Sequence, residues 1–307
     1  MRYFYLPAIL FGLFATPVFA ETGMHFSEIA PGLYLRPGVQ AVSDADNEGR
    51  IANLGFVVGE QRVAVIDAGG SYAEGLAVLQ AIRAITDKPI QWLIVTHMHP
   101  DHSLGAAAFA DQGIEIIGHA NLADALNRRR DAYVNPVKDY LGPQAEGTRI
   151  VLPNTDVSVG QPRRLDLGGR VLTLQAHPTA HTNNDLTVYD EQTGALWLAD
   201  LLFVDHIPVV DGSVLGWQQV MQSLAEQTPT MIVPGHGAVQ AHWQPALDSQ
   251  QRYLQAVADG ARRIIRRGGD ISEAVDVVAQ DERRHWLLFD DFHGRNVTAI
   301  FTELEWE

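Results

Sequence analysis

The chain contains no cysteine. Disulfides and thiolate metal ligands are thereby excluded, and any metal must be held by His, Asp or Glu. Basic residues are few against acidic ones: 22 Lys and Arg face 37 Asp and Glu, for a formal charge of −15. A surface that acidic repels phosphate backbones, so nucleic acid is not an expected partner. Long apolar runs are also missing. A bilayer span takes about 20 residues, and the one candidate, residues 3–16, is shorter and flanked or broken by Pro7 and Pro17. With Arg2 before it and Val18-Phe19-Ala20 after it, this stretch reads instead as a signal peptide, residues 1–20, cleaved near Glu21. The expectation is an exported protein, in the periplasm of a Gram-negative cell, with no stable membrane insertion after cleavage. The 307 residues, 46% hydrophobic, suffice for one large α/β domain or two small ones.

What the chain does have is histidine, 12 in all. Three fall within Thr96-His97-Met98-His99-Pro100-Asp101-His102, an H-x-H-x-D-H constellation. Residues 91–95 before it are apolar and β-branched, and read as a buried strand. Residues 103–110 after it read as a helix, with Asp101 near its start. On extended backbone, side chains two apart point the same way, so His97 and His99 can converge on one point. Asp101 and His102 lie past the bend and can converge on a second point close by. Imidazole and carboxylate are ligands that borderline metals such as Zn²⁺ prefer.

In order, residues 29–36 suggest an edge strand. Residues 51–58 and 62–66 suggest a hairpin about Gly59-Glu60-Gln61. Residues 71–85 suggest a helix, 114–118 a strand, 121–130 a helix and 131–147 an irregular loop. From Thr148 the pattern restarts, with strands expected at 157–159, 164–167, 171–176, 186–189 and 195–199, a helix at 217–227 and a strand at 231–233. The remainder is mostly helical: 245–267, 272–280 and 296–307. No linker divides residues 21–307, which read as one domain with a helical C-terminal extension from about 245. Strands followed by helix in each half imply two sheet-plus-helix layers packed face to face.

Four further residues stand at the ends of expected strands or in the loops after them: Asp67, His181, Asp200 and His236. Sites in α/β folds gather at such places. Among the other histidines, His119, His177, His242, His285 and His293 read as structural or exposed. His206 is kept as a possible substrate-loop residue, because its loop follows Asp200. Arg262, Arg263, Arg266 and Arg267 sit at helical spacing and read as a solvated face.

In this order, from about Ile51 to Gly237, Asp67, His97, His99, Asp101, His102, His181, Asp200 and His236 resemble the ligand set of the metallo-β-lactamase superfamily. The resemblance implies an α/β fold, a four-layer αββα sandwich with two Zn²⁺ ions at one edge of the sheets. His97, His99 and His181 would hold one metal. Asp101, His102 and His236 would hold the other, Asp200 would bridge them, and Asp67 would orient ligands from behind. Asp101 and Asp200 are the expected catalytic carboxylates. An Asp at position 200, where lactamases of the best-known subclass have Cys, is similar to the thioesterase and lactonase branches. Residues 200–213 with Leu215-Gly216-Trp217 are similar to exported zinc metallohydrolases associated with quinoprotein dehydrogenases and to proteins of sulfur-oxidation clusters. The expected activity is hydrolysis of an ester, lactone, thioester or related small molecule by a metal-bridging hydroxide, with a functional link to a periplasmic dehydrogenase and little β-lactamase activity. The alternatives are an iron-dependent redox enzyme on the same ligands and a non-catalytic accessory protein.

Overall fold

A computed structural model describes residues 24–307. The expected signal peptide lies outside these residues. Two sheets stack against each other. The first has seven strands in chain order: β1 Ser27–Ala30, β2 Leu33–Arg36, β3 Leu54–Val58, β4 Val63–Ile66, β5 Ile90–Ile94, β6 Glu115–His119 and β7 Thr155–Val157. It is antiparallel from β1 to β4 and parallel from β4 to β7. The second has five: β8 Arg163–Asp166, β9 Val171–Ala176, β10 Leu186–Asp190, β11 Ala195–Phe203 and β12 Met231–His236, antiparallel except for the parallel pair β11–β12.

Helices cover both outer faces. The first sheet is covered by α1 Tyr72–Ile85, the short α2 Pro100–Ser103 and α3 Ala106–Ala110, and α4 Leu122–Leu141. The second is covered by α5 Val214–Ala225, α6 Gln244–Arg266, α7 Ile271–Val277 and α8 Phe289–Leu304. The layering follows from side-chain alternation. In β4, Val63 and Val65 face the helices while Ala64 and Ile66 face the other sheet. In β11, Leu196 and Leu198 face the helices while Trp197 and Ala199 face inward. Strands buried on both faces read as continuous apolar runs, as residues 63–66 and 195–199 do.

Four expectations need correction. Residues 131–147 are not an irregular loop: α4 runs through Pro136 to Leu141, and a short 3₁₀ turn, Gly142–Ala145, follows. Tyr133, Val134, Val137 and Leu141 form a buried stripe, and that packing outweighs the lost hydrogen bond of an interior proline. The helix expected at 103–110 is two short pieces separated by Leu104 and Gly105. β7 closes the first sheet instead of starting the second. Asp200 lies within β11, not after a strand ending at 199.

The two sheets are tied at the edge where the histidines gather. Asn53 is fully buried; its Nδ2 donates to Pro234 O and Gly237 O, both at 2.8 Å, and its N–H donates to Gly235 O. Beneath the Asp101 turn, buried Glu74 pairs with Arg36 and accepts the Gly70 N–H at 2.7 Å. Burial lifts Glu74 to about 7, with Arg36 opposing.

Candidate metal centre

Each site residue reaches the cluster by an identifiable local device. The H-x-H-x-D-H turn leaves β5 and enters α2, where Pro100 occupies the first turn and fixes the backbone that separates His99 from Asp101. His181 lies in the loop between β9 and β10, and His236 ends β12. Asp200 is aimed by a bulge: the β11–β12 register shifts on either side of Ala199, whose φ is +47°. A left-handed alanine is a strained conformation held by its surroundings. Across from it, Gly235 is required, because a Cβ there would fall 1.8 Å from Asp200 Oδ1.

The donors fall into two adjoining groups, His97, His99, His181 and Asp200 in one and Asp101, His102 and His236 in the other, with the atoms of each group within 4.8 Å of one another. Asp200 is shared. Its Oδ2 lies 3.5 Å from His97 Nε2, 4.0 Å from His99 Nδ1 and 3.7 Å from His181 Nε2. Its Oδ1 lies 3.2 Å from His102 Nε2, and Oδ2 lies 3.5 Å from His236 Nε2. Asp101 Oδ2 is 3.5 Å from His102 Nε2 and 3.3 Å from His236 Nε2. Tetrahedral ligands on bonds of about 2.0–2.2 Å stand roughly 3.3–3.5 Å apart, so several of these spacings suit donors around a common ion.

The outward-facing ring atoms make the same point. His97 Nδ1 meets Thr96 Oγ1 at 3.0 Å, His102 Nδ1 donates to Asp67 Oδ2 at 2.8 Å, and His181 Nδ1 donates to Asp185 Oδ1 at 3.1 Å. His236 Nδ1 donates to Ile51 O at 3.1 Å, and His99 Nε2 donates to Asp211 Oδ2 at 3.0 Å. Each of the five rings is thus anchored by one nitrogen, which sets its tautomer, and offers the other to the cluster. The inner atoms of three rings, His97 Nε2, His102 Nε2 and His181 Nε2, are buried without a hydrogen-bond partner, as is Asp200 Oδ1. Leaving such atoms unsatisfied is costly, and a cation at the two groups satisfies all of them. Each of the two groups is of a kind that could hold a metal ion.

Asp67 sits behind this centre, fully buried and with a left-handed φ of +61°. It accepts the Thr96 N–H at 2.8 Å, the Thr96 hydroxyl at 2.9 Å and the His102 ring, and so holds His97 and His102 at once. Electrostatics follow from burial and crowding. Burial and the neighbouring His102 hold His97 well below its usual range. Burial opposes protonation of His99 and His236, but the surrounding Asp200 with Asp211 or Asp101 brings each to about 9. Burial likewise opposes ionisation of Asp101, yet His102 and His236 hold it at about 2.

The centre opens on one side into a cleft of about 280 Å³, lined by Ile51, Asp101, Arg129, Tyr133, Val209 and Phe292 among others. His97, His102, His181 and Asp200 are buried, whereas the side chains of His99 and Asp101 keep 15% and 13% exposure; a substrate meets those two first. His206 lines the cleft but is only 2% exposed. Its Nδ1 faces Ile207 O at 2.6 Å, and burial pushes it down to about 4, so it is a neutral wall. Of the remaining histidines, His119, His177 and His293 are buried and hydrogen-bonded, and His242 and His285 are exposed. Arg262 and Arg267 are engaged by Glu307 and Glu273 on the outer helices, and Arg263 and Arg266 are exposed.

Sequence reasoning missed Thr96, Asp185, Arg129 and Arg295 and gave Asp211 no role. Asp185 had a signal, standing four residues after His181. Arg129 had none: it pairs with Asp211 across 82 residues of chain, its Nη2 at 2.9 Å from Oδ1.

A model of the metallo-beta-lactamase superfamily matches residues 47–236, more than half of the chain. A probable metallo-hydrolase of Bacillus subtilis, YqjP, is 23% identical over 247 residues, covering 66% of this chain and 73% of its own. A hydroxyacylglutathione hydrolase of Acidiphilium cryptum is 25% identical over 166 residues, covering 53% and 57% respectively. Among solved structures, a variant of the sec-alkyl sulfatase PisA1 superposes with a TM-score of 0.69 at 16% identity, over 92% of this chain and 50% of that one. That likeness in fold extends well beyond residues 47–236, into the C-terminal helices.

Proposed function

This chain belongs to the metallo-beta-lactamase superfamily and is a metal-dependent hydrolase; from that premise we propose that it holds two Zn²⁺ ions and hydrolyses an ester, lactone or thioester. The observation that carries this reading is the shared Asp200, whose Oδ2 faces His97 and His181 of one group and His236 of the other while Oδ1 faces His102. His97, His99 and His181 would hold one ion, Asp101, His102 and His236 the other, and Asp200 both. Such ions acidify a bound water to about neutral pH and polarise a substrate carbonyl.

The protein's own groups do the rest. Asp67, Thr96, Asp185, Asp211 and Ile51 O hold the five rings from behind, so the donors are set before substrate arrives. Asp101 keeps an ionised carboxylate at the cleft floor and is placed to orient an attacking water by accepting its hydrogen bond. Phe203, Phe292, Val209 and Tyr133 line the cleft and exclude bulk water from the reacting bond. The hydroxyacylglutathione hydrolase among the relatives supports an acyl or thioester substrate, and a bridging carboxylate in place of a thiolate supports weak β-lactam turnover.

The residues at 1–20 support export to the periplasm. The run at 200–213 with residues 215–217 supports a place beside a quinoprotein dehydrogenase or in sulfur oxidation, with a small molecule as the substrate and no nucleic acid partner. The test is turnover by purified zinc-loaded protein on matched ester, lactone, thioester and β-lactam substrates. The expected result is turnover on one of the first three, falling at least ~100-fold in Asp200→Ala, the scale of losing one electrostatic element. Efficient β-lactam turnover alone, or an unchanged rate in Asp200→Ala, would refute the reading.

A further inference from the structure

The cleft holds two guanidinium groups, from Arg129 on α4 and Arg295 on α8. They differ in what they are doing. Arg129 is committed, because both of its Nη atoms engage Asp211, which also takes the His99 ring. Arg295 is exposed and forms no ion pair or side-chain hydrogen bond among the described residues. Arg263 and Arg266 are likewise unpaired among the described residues, but they lie on the outer helix α6, whereas Arg295 lines the cleft. The other carboxylates of the cleft are not available to it: Asp101 and Asp200 face the histidines, and Asp211 is taken by Arg129 and His99.

One side of the cleft is apolar. Phe292 precedes it by three residues and so shares its face of the helix. The Phe292 ring packs on His206 at 5.4 Å, and His206 packs on the donor residue His236 at 5.1 Å. Val209, Ala132 and Tyr133 line the same cleft. From the proposed metal centre to Arg295 there is therefore an aromatic and aliphatic surface, ending in an uncommitted guanidinium whose planar fork suits carboxylate or sulfate oxygens.

Resting on the hydrolase reading, we propose that the substrate is a small organic anion with an apolar body, its carboxylate or sulfate bound by Arg295 while the scissile bond lies at the metal centre. At about 280 Å³ the cleft is at the small end of ligand sites, so the body is compact.

Calorimetric titration of zinc-loaded protein with 4-phenylbutyrate, octyl sulfate and neutral 4-phenylbutanamide tests this without relying on turnover. At least one anion should bind ~10-fold or more tighter than the amide, the usual scale for one charge-assisted hydrogen bond. Arg295→Gln should abolish the preference and Arg295→Lys should keep part of it, with zinc content unchanged in both. Which anion binds tighter identifies the headgroup. Equal binding of amide and anions would overturn the proposal. So would a preference that survives in Arg295→Gln, since the anion would then be held by the metals alone. Absence of turnover on every ester and thioester would defeat the hydrolase reading and leave this binding result standing.

Discussion

Asp211 shows how much of the site lies in residues that are not donors. Its carboxylate fixes His99 Nε2 at 3.0 Å, its N–H donates to His181 O at 3.1 Å, and Arg129 holds its other oxygen. One residue therefore constrains two of the proposed metal ligands and binds α4 to them. Asp211→Ala should lower zinc affinity by ~10–100-fold, the usual effect of losing such a support, measured by competition with a chromogenic chelator. Unchanged affinity would mean that His99 is oriented without it. Of the eight residues from Asp67 to His236 that the structure gathers, four are marked by the spacing of the H-x-H-x-D-H turn, whereas Asp67, His181, Asp200 and His236 stand out in the sequence only through the resemblance to the superfamily's order. Asp211 and Arg129 were not legible, because their partners lie 112 and 82 residues away in the chain. Only packing brings such pairs together, and no local pattern encodes it.

At the scale of elements, α8 is the part whose role exceeds its appearance in sequence as a C-terminal extension. It contributes Phe292 and Arg295 to the cleft and pins both halves of the loop that follows β11. Buried Asn296 accepts the Val210 N–H at 2.9 Å and donates to Pro208 O at 2.6 Å. Glu303 receives the Ser213 hydroxyl at 2.5 Å and the Val214 N–H at 2.7 Å. Asp211 lies between these two anchors. Asn296→Ala leaves buried polar groups unpaired, Val210 N–H and Pro208 O among them, and should cost about 2–4 kcal/mol of stability, read from urea unfolding. A change within about 0.5 kcal/mol would show that the loop is held by other contacts. The reading of α4 as ending near 130 failed for a related reason. Its proline signals a break, and the buried stripe from Tyr133 to Leu141 that overrides it is decided by the sheet it packs on.

At the scale of the molecule, the layer order was readable from the succession of strands then helix in each half together with the resemblance to the superfamily, whereas the assignment of β7 to the first sheet was not, since three residues, Thr155–Val157, hold too little pattern to choose a partner. Two stacked sheets carry the donors to one edge, and none of the described helices is long and apolar enough to cross a membrane. Buried imidazoles and carboxylates without ions burden the fold, so metal binding and folding should be linked. The most direct test of the central claim is calorimetric titration of metal-stripped protein with Zn²⁺. The account predicts two ions bound per chain, with proton release as the protonated rings give up their protons. Saturation at one ion per chain, or no binding, would contradict it.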